Sequence, residues 1–515
     1  MRRCDIQLLA SARQGDLAAR CETGRRYLLG ADGFPRHPGL GLEYLAHPSV
    51  AGSEKASVII AESLPLHDLL RLEQLHALQV AAKGPSAAAR LKLGVWACLT
   101  NTDPAESRRW FEMAAAAGSA AARAALVAMN RSCEATAVGV LRALAGEPGI
   151  CAAALMTQAL TDALRSGDDA LLAQTRDCAL LLQPAVTCEL ADAVCAVLQH
   201  AQTSHRFRVP SANDRIEALL EDCVRRGNRA ATLLLGRALC GLESGPLPAA
   251  ALTTGQNMRK GAALLMRAAD AGEQTAWMLL YRVHSDNHAS VANPQMARFF
   301  LEKAAVAGNL SAQRRLGALI LRAAATLHES EQGIHWLHEA AQQQDAHAIG
   351  LLRSLVLPVA GSETEATLAI DAIRPQDPWM ACRLRTARDF GLTKLEAMSV
   401  DVVAGVRPWG LVVGPNPFIS QARLSAPRAV PALTPDAARN LRRSVAFLER
   451  ARQDAAPLEG DLRKRCMRLR RLLERHGFDE SLFFAEARAT ALNTLRQGPK
   501  WAFHARQPLR MALSI

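Results

Sequence analysis

The pattern best suited to chemistry lies in DLRKRCMRLRRLLERHG, residues 461–477. Four cations recur there at spacings of i, i+4, i+7 and i+11: Lys464, Arg468, Arg471 and Arg475. Four apolar residues recur at the same spacings: Leu462, Cys466, Leu469 and Leu473. On an α-helix each set lies along one face. The sequence therefore predicts an amphipathic basic helix.

A cationic helical face can neutralise the phosphates of nucleic acid, an anionic membrane surface or an acidic protein. The alternative is a helix that closes a repeat array and turns its arginines to water. Residues 401–515 hold 20 Lys and Arg against 10 Asp and Glu, which is +10 of the formal net charge of +12. Few aromatic residues interleave with these cations, so sequence-specific RNA recognition is not expected.

Histidine and cysteine supply no recognisable metal site. His284 and His288 form one pair, and His335 and His338 form another near His328, but no third ligand follows at a recognisable spacing. The 12 cysteines include no C-x-x-C pair, which zinc sites commonly use. In a reducing compartment most of these thiols are expected to be small buried hydrophobes.

No catalytic motif is found. The chain has no phosphate-binding loop, no G-x-S-x-G and no H-E-x-x-H. The segment GLVVGPNPF is too rich in proline to be a dinucleotide-binding loop, and the carboxylates are scattered. The sequence therefore predicts a protein that is not an enzyme and that needs no cofactor.

The elements that would position these residues come from an internal repeat. Its anchors are spaced mostly 32 to 37 residues apart in two groups: Gly15, Gly52, Gly84 and Gly118, then Gly227, Gly272 and Gly308, with Gln344 as a variant. The fourth residue after each of these eight anchors is alanine, including Ala276 and Ala312. The eighth is Ile or Leu in six cases, including Leu316, with Thr23 and Lys92 as exceptions.

This spacing has a structural reason. Glycine ends a helix in the left-handed conformation without a steric penalty from Cβ. The residue after the anchor is usually Ser, Asp or Asn, which cap the first turn of the next helix. Alanine and then leucine give that helix a narrow apolar stripe. Each unit is thus expected to be a helix, a variable loop, a second helix and a glycine.

The length of the unit, the motif AAxxG and the Leu-Gly dipeptide resemble the Sel-1-like repeats, which are tetratricopeptide-like. Ala304, Ala305, Gly308, Leu316 and Gly317 carry this resemblance. The best matches cover 10–125 and 227–355. The resemblance implies an all-α, right-handed α/α solenoid and a role as an adaptor in multiprotein assemblies.

Six regions follow from these patterns. Repeats are predicted for 1–129, degenerate repeats for 130–226, repeats for 227–357 and a helical extension for 358–404. Six of the 24 prolines fall in 405–435, which predicts a connector that either links helices or offers a peptide-like segment to a partner. Trp409 and Phe418 are expected to pack back on the repeats. The last region, 436–515, is expected to be helical and basic.

The leading hypothesis is a scaffold that binds a protein or peptide partner on the solenoid surface. The alternatives are a protein that binds nucleic acid or another anionic surface through the basic helix, and a secreted bacterial effector. No signal peptide or membrane-spanning segment is recognised, so a cytoplasmic location is expected.

Overall fold

Helices make up most of the chain. The computed structural model describes residues 3–50, 52–100, 104–131, 136–181, 187–203, 214–242, 248–414, 427–453, 459–487, 489–496 and 498–513. In these ranges 30 α-helices accompany two 3-10 helices and three short strands. The all-α prediction is confirmed, with a small sheet added. The chain divides into two compact units, Met1–Leu279 with Ala289–Val291 and Leu280–His288 with Ala292–Ile515.

The first unit contains helices and no strand among its described residues. Its helices are α1 (Arg3–Gln14), α2 (Leu17–Leu29), α3 (Pro38–Leu45), α4 (Glu54–Ser63), α5 (Leu66–Arg71), α6 (Leu75–Lys83), α7 (Ala87–Thr100), α8 (Pro104–Ala116), α9 (Ala120–Arg131), α10 (Thr136–Ala143), α11 (Ala152–Ser166), α12 (Asp169–Leu181), α13 (Cys188–Thr203), α14 (Asp214–Arg225), α15 (Arg229–Leu239) and α16 (Met258–Asp270). A 3-10 turn lies at Ala249–Ala251, and α17 (Gln274–Ser285) crosses the boundary after Leu279.

The second unit adds a three-stranded sheet to its helices. Its elements are α18 (Pro294–Val306), α19 (Leu310–Ala323), α20 (Leu327–Gln342), α21 (Ala346–Arg353), α22 (Glu363–Ile373), α23 (Pro378–Asp389), α24 (Lys394–Ser399), α25 (Val402–Gly405), β1 (Val406–Arg407), β2 (Gly410–Val413), β3 (Arg428–Pro431), α26 (Pro435–Gln453), α27 (Leu462–His476), α28 (Ala489–Arg496), α29 (Gly498–His504) and α30 (Arg506–Leu513). A 3-10 turn lies at Glu480–Leu482.

The repeat anchors have the backbone that the spacing predicts at six of the seven glycines. Gly15, Gly52, Gly118, Gly227, Gly272 and Gly308 have φ between 78° and 101°. The next residue caps the following helix where it is Asp, Ser or Asn. Asn309 Oδ1, for example, accepts the Ala312 amide at 3.0 Å. Successive helices α18, α19, α20 and α21 then pack on one another, as a solenoid requires.

The register assigned to Gly84 is wrong by one residue. Gly84 has φ of −75°, so it does not take the left-handed conformation. The cap is Ser86, whose Oγ accepts the Ala89 amide at 3.2 Å. Counting from Pro85 makes Ala89 and Leu93 the fourth and eighth residues, and both are buried. The apparent exception at Lys92 therefore came from the misplaced anchor.

Gln344 takes the place of glycine in the last clear repeat. Its φ is 65°, one of three positive values for non-glycine residues in the described part of the chain. Asp345 still caps α21 by accepting the Ala348 amide at 2.8 Å. The repeat geometry is thus kept although the left-handed backbone conformation is strained for a residue other than glycine.

The middle region belongs to the core of the first unit. One apolar cluster runs from Cys21 to Leu264 and includes residues of α10 to α14. Gly167 ends α11 with φ of 70°, and Asp168 accepts the amides of Ala170 and Leu171 at 3.0 and 3.1 Å. The same glycine and cap pattern therefore occurs in this region.

The proline-rich segment is more regular than expected. β1, β2 and β3 form an antiparallel sheet in that order, with Leu411 opposite Val430. Pro431 ends β3, a position where the missing amide proton is tolerated. Trp409 is buried in a cluster with residues of α19, α20 and α21, as expected. Residues 415–426, which include Phe418, lie outside the described ranges.

Candidate functional site

A groove of about 830 Å³ lies among the described residues of the second unit. We call it the second-unit groove. It is bordered by α20, α21, the β1–β2 turn, the segment after β3 and the start of α26. Its lining residues are His338, Ala341, Gln342, Gln344, Ile349, Leu352, Val406, Arg407, Pro408, Gly410, Ala432, Leu433, Thr434, Pro435, Ala438, Leu441 and Arg442.

Capping residues fix the starts of the two helices on either side of the groove, α21 and α26. Asp345 caps α21, and Thr434 Oγ1 caps α26 by accepting the Ala437 amide at 3.1 Å. Pro435 stands at the first position of α26, which proline favours. The sheet between them is held from its other end by Arg428 of β3.

Arg428 forms a buried ion pair with Glu396 of α24. The guanidinium Nε and Nη2 donate to the two carboxylate oxygens at 2.8 and 3.0 Å, and each side chain is 1% exposed. Nη2 also donates to the Gly391 carbonyl at 3.1 Å. Burial raises the pKa of Glu396, but the hydrogen bonds and charge of Arg428 outweigh it, so the pKa lies below its ordinary value.

The titratable groups that line the groove are all basic or neutral. They are His338, Arg407 and Arg442, and none of the lining residues is Asp or Glu. Arg407 is positioned by Glu331, 2.8 Å from its Nε, and by the carbonyl of Val406 at 2.9 Å. Arg442 is exposed and forms no ion pair with any described residue. Burial lowers the pKa of His338, an effect that Glu339 partly opposes, so this ring is mostly neutral at pH 7.

The rest of the lining is mostly apolar. Ile349 and Leu352 come from α21, and Leu433 and Leu441 face the groove from the opposite wall. A volume of this size falls in the range of ordinary ligand pockets. A cleft with an apolar lining and two arginines suits an apolar segment that also carries a negative charge.

The predicted basic helix is α27, and part of its cationic face is already engaged. Lys464 and Arg471 are exposed and form no ion pair among the described residues. Arg468 donates to the Glu459 carbonyl and lies 3.6 Å from Asp377 Oδ2. Arg475 Nη1 donates to Gln376 Oε1 at 3.0 Å. Of the four predicted contacts, Lys464, Arg471 and Arg475 are thus exposed without an ion pair among the described residues, although Arg475 is held by a neutral glutamine.

The apolar face of α27 is wider than the sequence pattern indicated. Leu462, Leu469 and Leu473 are buried and Cys466 is half-buried, but Leu472 and Arg465 are buried as well. Arg465 Nη2 lies 3.2 Å from Glu459, which also accepts two 2.6 Å hydrogen bonds from Arg383. Arg465 Nη1 also donates to the Met398 carbonyl at 2.8 Å, 67 residues away, and the local sequence gives no sign of this buried contact.

The histidines considered as metal ligands do not form a common site among the described residues. The His284 ring packs on Phe300 with centroids 5.1 Å apart, and His328 and His338 each contact a glutamine four residues later. Among the described residues, no three His, Cys, Asp or Glu side chains are grouped to hold a metal ion.

None of the described helices combines the length and the apolar character needed to span a bilayer.

Comparison with known proteins gives matches only among solved structures. No protein-family model and no curated protein matches the chain. One match is a Sel1 repeat protein from Oxalobacter formigenes, at 18% identity over 68% of this chain and 89% of that chain, with a TM-score of 0.26. Another is a protective antigen of uropathogenic Escherichia coli that displays an SLR fold, at 17% identity over 77% of this chain and 81% of that chain, also with a TM-score of 0.26. Both proteins are described as having the repeat type that the sequence resembles. Because their TM-scores are low, the description of the fold here rests on the helix pairs themselves.

Proposed function

We propose that this chain is a non-enzymatic scaffold of Sel-1-like repeats and that it binds a segment of a partner protein in the second-unit groove. The observation that carries the proposal is the charge of the lining. Arg407 and Arg442 border an apolar groove that contributes no carboxylate. A neutral apolar ligand would leave Arg442 without an anionic partner, whereas an acidic ligand would supply one.

The partner segment is proposed to combine apolar residues with at least one Asp or Glu. Its apolar side chains would cover Ile349 and Leu433, which are partly exposed in the lining and would supply affinity through burial. Its carboxylate would accept hydrogen bonds from Arg442, and because this arginine is exposed the ion pair contributes about 1 kcal/mol or less. The apolar contacts would thus supply most of the affinity. Arg442 would determine how the segment is aligned in the groove and would favour segments that carry an acidic residue.

Selection from a random peptide library against the full-length protein tests this proposal. We expect the selected peptides to place apolar residues beside Asp or Glu. Ala438 lines the groove, so Ala438→Trp should fill it and abolish binding. Ala446→Trp is the matched control, because Ala446 is exposed on the same helix and does not line the groove. Peptides without acidic residues, or peptides that bind Ala438→Trp as well as the parent, would contradict the proposal.

A second candidate function rests on α27. Lys464 and Arg471 are exposed and without an ion pair in the described ranges, so this helix could hold a polyanion. Lys464→Glu with Arg471→Glu should then reduce binding to duplex nucleic acid, and the parent's affinity should fall steeply with salt. Equal, salt-insensitive binding by both proteins would exclude α27 from this role.

A further inference from the structure

Gln344 stands where the other left-handed repeat anchors have glycine. Its φ of 65° is strained for a residue that carries a Cβ. The six left-handed glycine anchors show what the position itself allows, because a Cβ on any of them would meet no described residue beyond its chain neighbours within 4 Å. A side chain at this point of the repeat projects into open space. Packing therefore does not explain the glutamine at 344.

The open space beside Gln344 is the second-unit groove. Gln344 is exposed and belongs to the groove lining, and its side-chain amide forms no hydrogen bond with any described residue. The two preceding glutamines are engaged. Gln343 Nε2 donates to Gln313 Oε1 at 3.1 Å, and Gln342 Nε2 lies 2.9 Å from His338 Nε2. Gln344 thus presents an unpaired amide to the groove from a backbone position that disfavours it.

The chemistry of an amide favours one part of a bound peptide over the others. A carboxylate in the groove would go to Arg407 or Arg442, because a hydrogen bond between charged groups is stronger than one to a neutral amide. A primary amide has an acceptor oxygen and two N–H donors, which match the N–H and C=O groups of a peptide main chain. A helix uses those main-chain groups internally, whereas an extended segment leaves them available.

We propose that Gln344 binds the main chain of the partner segment and that this segment lies in the groove in an extended conformation. This role rests on the proposed binding of a partner segment there, and it adds the conformation of that segment. The Gln344 Oε1 atom accepts a main-chain N–H, and Nε2 donates to a main-chain carbonyl. Such contacts do not depend on the partner's side chains, which are left to Arg442 and the apolar lining. The strained conformation at 344 is then a cost that binding offsets.

Gln344→Gly removes the amide and keeps the fold, since glycine suits the left-handed conformation. The probe is a fluorescent peptide selected against the parent, titrated with each full-length protein and followed by anisotropy. Gln344→Gly should raise the Kd about threefold to tenfold, the effect of losing a hydrogen bond. Gln343→Ala is the matched control and should leave the Kd within about twofold, because Gln343 is exposed beside Gln344 but does not line the groove. Urea denaturation should show that Gln344→Gly is more stable than the parent, so weaker binding would not reflect unfolding.

Replacing each peptide amide in turn by an ester, which lacks the N–H donor, identifies a main-chain contact. At one position the ester should weaken binding to the parent at least about threefold and binding to Gln344→Gly less than about twofold, because the two changes remove the same hydrogen bond. An unchanged Kd for Gln344→Gly, or equal ester effects in both proteins at every position, would overturn the role of Gln344. The groove proposal would survive that result if Ala438→Trp still abolished binding. Failure to select any peptide, or binding that Ala438→Trp leaves unchanged, would refute the groove proposal and the role of Gln344 together.

Discussion

Removing Arg428 should leave the buried Glu396 carboxylate without the guanidinium that balances its charge, and the cost can be worked out from the structure. Arg428 and Glu396 are each 1% exposed, so water cannot replace the lost guanidinium. In Arg428→Met the carboxyl group can escape only by taking up a proton. At pH 7, protonating a group whose ordinary pKa is 4.5 costs about 3 to 4 kcal/mol. This agrees with the usual cost of breaking a buried pair, about 3 to 5 kcal/mol.

The stability cost of Arg428→Met should depend on pH for the same reason. In the parent the pKa of Glu396 is lowered, so the contribution of the pair is present above the unfolded pKa and is lost as pH falls through the folded one. In Arg428→Met the folded pKa should be raised, so the folded state binds more protons than the unfolded state and the variant gains stability as pH falls from 7 to 5. The penalty of the substitution should therefore shrink by about 2 kcal/mol over that range.

Hydrogen exchange of the β2 and β3 amides measures the local opening free energy of this region. Arg428→Met with Glu396→Gln should recover at least half of the loss, because glutamine is neutral and still caps α24. Arg407→Met is the matched control, since the pair of Arg407 with Glu331 is partly exposed and should cost about 1 kcal/mol or less. A penalty for Arg428→Met below about 1 kcal/mol, or one equal at pH 7 and pH 5, would refute this reasoning.

Three further predictions concern residues of the repeats. Gln344→Gly should stabilise the second unit by about 0.5 to 1 kcal/mol because it removes a left-handed glutamine, whereas Gly308→Ala should destabilise it by about 1 kcal/mol. Urea denaturation measures both changes in stability. A stabilising effect of Gly308→Ala would contradict the role of the anchors. Lys92 is buried, which lowers its pKa to about 8 although its Nζ donates to the carbonyls of Ala61 and Leu64 at 2.6 and 2.7 Å. The unfolded state binds more protons above pH 8, so the parent should gain about 2 kcal/mol over Lys92→Met between pH 7.5 and pH 10, measured under reducing conditions. A constant difference between the two proteins would show that Lys92 does not titrate in this range.

The helix pairs could be predicted because their signals are local. Glycine, a capping residue and an apolar stripe lie within nine residues of one another, as at Gly308, Asn309 and Leu316. Gly84 misled the prediction because the chain there places its cap two residues after the glycine instead of one. The local pattern still indicated the correct helix, but with a shifted register.

The groove and the buried ion pairs could not be predicted, because they join residues far apart in the chain. Arg428 pairs with Glu396 across 32 residues, and Arg383 pairs with Glu459 across 76. Proline density indicated an irregular connector, yet the prolines of the described part stand at a turn, beside or at the ends of strands and at the start of α26, and leave room for a sheet. The charge count of the C-terminal region also gave no sign that Arg465 is buried.

Charge reversal at Arg442 tests the proposed groove most directly. A peptide selected against the parent would be titrated against full-length Arg442→Glu and against Arg443→Glu, whose side chain is exposed next to it but does not line the groove. The account predicts that Arg442→Glu raises the Kd at least about tenfold, which corresponds to about 1.4 kcal/mol, and that Arg443→Glu leaves it within about twofold. An unchanged Kd for Arg442→Glu, or an equal loss in both variants, would contradict recognition of an acidic segment in the groove.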